Sequence, residues 1–121
     1  NEINKVRLPY NSNTISQTFA EHLITNFEAV QEQIDSIVDE RHRLLGEFQK
    51  IESVTAFPSD SNFILFKTEK SANNIFTYLT KNGILVRNLS SHPKLNNCLR
   101  VTVGTKSEND RFLSKLKDFK D

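Results

Sequence analysis

Hydrophobic positions change period several times along this chain, and each change marks a new element. Ile15, Phe19, Ala20, Leu23 and Phe27 recur at three- and four-residue spacing, which predicts a helix entered at Asn13 or Thr14. Thr14-x-x-Gln17 has the form of a capping box, in which a hydroxyl and an amide each satisfy a free backbone N–H. Thr25-x-x-Glu28 offers a second, so a break is expected near residues 25–27 and a new helix from there to about Gln49. The second stripe is Val30, Ile34, Ile37, Val38, Leu44, Leu45 and Phe48. Glu32, Asp35, Asp39, Glu40 and Arg43 lie opposite it and read as a solvated face. Gly46 costs about 1 kcal/mol against Ala in a helix, so this end is expected to fray.

Beyond it, residues 53–61 read as a loop with Pro58 and Asp60 as turn formers, and residues 54–57 as a candidate short strand. Residues 62–68 form a clearer strand, whose unbroken run Phe63-Ile64-Leu65-Phe66 predicts burial on both faces. Ser71 caps a helix facing inward through Ala72, Ile75, Phe76 and Leu79, and Asn82-Gly83 closes it. Ile84-Leu85-Val86, ending in Arg87, and the alternating run from Cys98 to Val103, stopped by Gly104, both read as strands. The loop between them contains Pro93. Thr105-x-x-Glu108 is a third capping box, opening a helix that buries Phe112, Leu113, Leu116 and Phe119. Lys115, Lys117 and Lys120 sit favourably near its negative end. The order α-α-β-α-β-β-α predicts an α+β fold: a small, mainly antiparallel sheet of three or more strands with helices packed against it. Residues 1–12 carry no periodicity and read as a linker, leaving residues 13–121 as the domain.

Composition narrows the function. A chain of 121 residues is one domain's worth of core. Its net charge of +1 gives no reason to expect a nucleic-acid partner. The Phe63 run is a weak nucleic-acid candidate, since its neighbours are apolar and no basic stripe accompanies it. Apolar runs reach only four residues, too short to span a membrane. No secretory leader is evident, and a lone Cys98 excludes a disulfide framework, which together favour a cytoplasmic setting. There is no Met, and the chain starts in mid-phrase at Asn1, so it reads as part of a longer protein.

The candidate chemistry centres on Arg87 and Arg100, thirteen positions apart across the loop. Delivered by neighbouring strands, two guanidinium forks converge on one spot and suit a carboxylate or phosphate between them. The plain alternative is two strand-end arginines in water or paired with nearby acids. Asn11, after Tyr10, and Asn62 at a strand head fit turn and backbone-bonding roles. His22, His42 and His92 assemble into no cluster, no His/Cys pair has metal-ligand spacing, and Cys98 reads as a small apolar side chain. No nucleophile elbow or Gly-rich phosphate loop is present. With no complete catalytic set, a non-catalytic ligand-binding α+β domain remains a competing reading.

Four blocks resemble one family in order and spacing: LPYNSNTISQ at residues 8–17, SDSNFILF at 59–66, GILVRNLSSHP at 83–93 and CLRVTVGTKSEND at 98–110. They are similar to the C-terminal small domain of pyridoxal-phosphate-dependent aminotransferases, and most resemble the histidinol-phosphate aminotransferases. The resemblance implies a homodimeric parent, with pyridoxal 5'-phosphate and its Schiff-base lysine in a large domain of the same chain. No cofactor is expected on this part alone, nor transamination by it. The implied reaction moves an amino group between glutamate and imidazole-acetol phosphate; histidinol phosphate and 2-oxoglutarate are the products. A related aminotransferase with another amino-acid substrate would fit too. Arg100 and Arg87 would bind the substrate's anionic end, Asn11 and Asn62 would line or support the site, and no metal is implied. The family usually has Asp after the first arginine, where this chain has Asn88.

Overall fold

Strand β4 (Cys98–Thr102) is paired on both sides, and it organises the sheet. A computed structural model describes residues 12–120. Among them α1 (Thr14–Thr25) and α2 (Phe27–Phe48) precede β1 (Val54–Ala56) and β2 (Phe63–Thr68). Then follow α3 (Ala72–Lys81), β3 (Arg87–Asn88), β4 and α4 (Lys106–Asp118). The strands run in the order β1-β2-β4-β3, each pair antiparallel. This is the α+β architecture expected, with one strand more than the minimum. The chain divides at Ile34 and Asp35 into two compact units.

In the larger unit one face of the sheet carries the core. Ile64, Phe66, Leu99, Val101 and Val103 pack with Leu44 and Phe48 of α2, Ile75 and Leu79 of α3, and Phe112, Leu113 and Leu116 of α4. Phe48, Phe66 and Phe112 meet at centroid distances of 5.0–6.1 Å, two of the three contacts edge-on. The expected double-sided burial of residues 63–66 is corrected: Ile64 and Phe66 are buried, whereas Phe63 and Leu65 are only half-buried on the opposite face. An apolar run cannot say whether a second layer covers it.

Capping follows local chemistry closely. Asn13 is the N-cap of α1, its Oδ1 accepting from Ser16 N at 2.8 Å. The Thr14–Gln17 box does not form; Gln17 Nε2 donates to the Ser12 carbonyl instead. Thr25 opens no second box either: its hydroxyl donates back to Glu21 O, and Asn26 closes α1 by donating to His22 O. Thr105 and Glu108 form the predicted box in full. Gly83, at φ +73°, closes α3: Ile84 N donates to Leu79 O and Gly83 N to Thr80 O, a Schellman pattern.

That turn explains a second correction. The strand expected over residues 84–87 pairs only at Arg87 and Asn88. Leaving the helix cap, the chain diverges from β4, and a cavity of about 370 Å³ opens, lined by Ile84 and Leu85 on one side and Val101 and Thr102 on the other.

The face of α2 expected to be solvated is partly structural. Glu40 and Arg43 are half-buried and bonded to each other, Glu40 accepting from buried Asn109 at 2.8 Å and Arg43 reaching Asp110 at 2.8 Å, both on α4. Arg41, expected on no face in particular, is buried and donates to Ser61 O. In the smaller unit α1 buries none of its residues: Ile15 is 82%, Phe19 62% and Ile24 74% exposed. Among the described residues no helix is long and apolar enough to cross a membrane.

Gly83→Ala places a Cβ in the left-handed region and 3.2 Å from Arg111 Nη2. It should lower unfolding stability by about 1–2 kcal/mol in a urea titration; an unchanged midpoint would contradict the cap. Hydrogen bonds from Lys50 and Lys117 hold the Glu47 carboxyl down at about 2 from its usual 4.5. A depressed carboxylate stabilises above its unfolded pKa and ceases to do so as pH falls from about 4.5 towards 2. Glu47→Gln should therefore flatten the acid limb of a stability–pH profile, less so at high salt. An identical limb in both proteins would remove Glu47 from the account.

Candidate anion-binding site

β3 and β4 set the two arginines opposite one another. Arg87 and Arg100 are direct partners in the antiparallel register, as are Leu65 and Arg100 on the other side of β4. Directly opposed residues of an antiparallel pair point to the same face, with Cβ atoms about 4.5–5.5 Å apart. Arg87, Arg100 and Leu65 therefore form a row on the sheet face turned away from the core, and Phe63, two residues from Leu65, shares that face.

Arg100 is half-buried and its guanidinium lies 4.7 Å from the Phe63 ring centroid. Arg87 is exposed. Among the described residues neither arginine has a hydrogen-bond or carboxylate partner, whereas Arg43, Lys50, Lys106 and Lys117 are all ion-paired. Like charges directly across a strand pair repel. Of the two forms of the plain alternative, pairing with nearby acids is absent here among the described residues, while exposed Arg87 stands in water as the other form has it. Two unneutralised forks on one face are an arrangement that an anion between them relieves. Arg87 is exposed while Arg100, Leu65 and Phe63 are half-buried; the 370 Å³ cavity by Ile84 lies ahead of β3, and its Glu108 and Arg111 are engaged by Thr105 and by Asn82 O.

Asn62 extends the β2–β4 ladder, its carbonyl accepting from Val103 N at 2.8 Å, while its exposed side chain bonds Ser61. Asn11 and Tyr10 lie outside the described residues. His92 turns Nδ1 to the Lys94 amide within its own loop, and His22 and His42 are exposed on helices. Cys98 is buried. Among the described residues no three His, Cys, Asp or Glu side chains are grouped as a metal would need.

Two contributors escaped the residue-level reading. The sequence reads Phe63 as core or as a weak stacking platform, yet its ring lies against the Arg100 guanidinium; the signal is a lone cation in one strand and an aromatic side chain in another. Asn88, where the resembled family has Asp, donates to Asn73 Oδ1 at 2.6 Å and accepts from Ser90 N at 2.9 Å. Its amide ties the residue after Arg87 to α3 and starts the loop.

Comparison with known proteins agrees with this architecture. The histidinol-phosphate aminotransferase of Aquifex aeolicus is 46% identical over 118 residues, covering 97% of this chain and 33% of that protein. The solved histidinol-phosphate aminotransferase of Clostridium acetobutylicum superposes with a TM-score of 0.83 at 24% identity, over 97% of this chain and 36% of that one. That of Sinorhizobium meliloti, solved with pyridoxal-5'-phosphate, gives 0.78 at 22% identity, over 97% of this chain and 32% of that one. At such identities these two superpositions speak to fold alone. The chain spans about a third of the length of the curated relatives it matches. The model of the aminotransferase class I and II family matches residues 1–116, and the chain belongs to that family.

Proposed function

We propose that this chain is the substrate-binding small domain of a histidinol-phosphate aminotransferase, in which Arg100 and Arg87 hold the anionic end of the substrate. The parent enzyme moves an amino group between glutamate and imidazole-acetol phosphate. The observation that carries the reading is the Arg87–Arg100 register pair on one exposed face, without a carboxylate neighbour among the described residues. A phosphate or carboxylate accepts charge-assisted hydrogen bonds from both forks, and that fixes the far end of the substrate. Names of relatives such as that from Aquifex aeolicus support the phosphorylated substrate. In this reading residues 13–121 form the domain and residues 1–12 the linker, and Asn62 supports the site through the bond its carbonyl accepts from Val103 N.

The residues described here do not themselves fit pyridoxal 5'-phosphate. A Schiff-base lysine works desolvated in a pocket, whereas the described lysines are exposed or, for Lys70 and Lys115, half-buried. Lys70 is already committed to Phe119, donating to its carbonyl and lying 5.3 Å from its ring centroid. We assign the cofactor, and the amino-transfer chemistry it supplies, to the larger remainder of a homodimeric cytoplasmic parent; this chain alone is inactive. The same remainder covers the bare apolar stripe of α1, a face of Ile15, Phe19 and Leu23 that a 12-residue helix does not expose unaided.

In the full-length enzyme Arg100→Ala should raise KM for the phosphorylated amine roughly tenfold to a hundredfold, the worth of one or two charge-assisted bonds. Arg87→Ala should act in the same direction. A non-phosphorylated analogue should lose much less. Steady-state kinetics on both substrates test this, and equal losses on the two would assign the arginines to something other than the phosphate.

A further inference from the structure

We infer that Phe63 is a positioning residue for Arg100, holding its guanidinium by the ring face so that the donors stay available to an anionic substrate. This deepens the function proposed above and rests on it. The ion-paired cations of this protein and Arg100 are held in different ways. Arg43 is held by Glu40 and Asp110, Lys117 by Glu47 and Lys106 by Asp110, each through its hydrogen-bonding atoms. A carboxylate held that way occupies the fork that a substrate anion would use. Arg100 is held otherwise: its guanidinium carbon is 4.7 Å from the Phe63 centroid, and none of its nitrogens has a partner among the described residues.

An aromatic face attracts a cation through its quadrupole without accepting a conventional hydrogen bond at the edge. The ring thus steadies the charge and leaves the planar fork empty. Register makes this contact structural rather than incidental. Leu65 faces Arg100 directly, and Phe63 faces Thr102, so the ring lies diagonal to the arginine on the same sheet face. Diagonal neighbours are about 7–8 Å apart at the backbone, within reach of a long side chain and an aromatic one. Arg87, on the far side of Arg100, has no such ring among the described residues and is exposed. The pair is therefore asymmetric: one fork pre-oriented over a ring, one free to close on the anion from solvent. Pre-orientation lowers the ordering cost of binding, and it predicts that Phe63 acts on substrate affinity only through Arg100.

The test is a double-mutant cycle in the full-length enzyme, with Phe63→Leu and Arg100→Ala made singly and together. Phe63→Leu keeps apolar bulk on the half-buried face and removes the ring; Phe63→Met serves if Leu fails to fold. Expected is a roughly three- to tenfold rise in KM for the phosphorylated amine with kcat nearly unchanged. Phe63→Tyr should restore KM to within about twofold, and Phe63→Leu should add nothing once Arg100 is Ala. An equal effect of Phe63→Leu with and without Arg100 would overturn the inference and leave Phe63 a packing residue. So would an unmoved KM in Phe63→Leu. If Arg100→Ala itself spares KM, the substrate-binding reading falls first and takes this inference with it. A large Arg100→Ala effect without coupling to Phe63 sinks the inference alone.

Discussion

The pairing of β4 between β2 and β3 decides which way each side chain of this sheet points. Leu99, Val101 and Val103 go inward to Leu44, Phe48, Phe66 and Phe112, where fully buried apolar side chains leave a one-residue slip no tolerance. The same register turns Arg100 outward, between Leu65 and Arg87. Core packing and the arginine row are two consequences of one alignment. Burial on one face is what holds charge in place on the other.

Everything else in the larger unit supports that alignment. α4 is fixed at its start by the Thr105–Glu108 box and by Asn109, whose amide binds both Gly104 and Glu40. This ties the end of β4 to α2. At the other edge, Gly83 turns the chain from α3 so that only Arg87 and Asn88 reach β4, and the Asn88–Asn73 bond holds that short strand against α3. A two-residue strand has little stability of its own; these two anchors locate Arg87 opposite Arg100.

Local signals carried much of this in the sequence alone. Thr105-x-x-Glu108, Ser71 and Asn82-Gly83 bound their helices because caps depend on residues three or four apart. The inner faces of α3 and α4 were legible from period. The Thr25 box failed because a threonine hydroxyl near a helix end has a competing acceptor, the carbonyl four residues back, and Thr25 takes it. The length of β3 was hidden because β-propensity at residues 84–86 says nothing of how the preceding helix cap aims the chain. For the site, the two arginines stood out as strand-borne cations, but their register is a long-range fact. The Phe63–Arg100 contact joins positions 37 apart, and no spacing rule reaches that far.

Family membership gives the arginine row a context. Two cross-strand guanidinium groups sharing one anion is the idea the site stands on. A crystal structure of the proposed parent enzyme with a phosphate-bearing amine bound decides it. Phosphate oxygens should then lie about 2.7–2.9 Å from nitrogens of both Arg87 and Arg100, with Arg100 still over the Phe63 ring. A phosphate seated elsewhere, with Arg87 left in solvent, would contradict it.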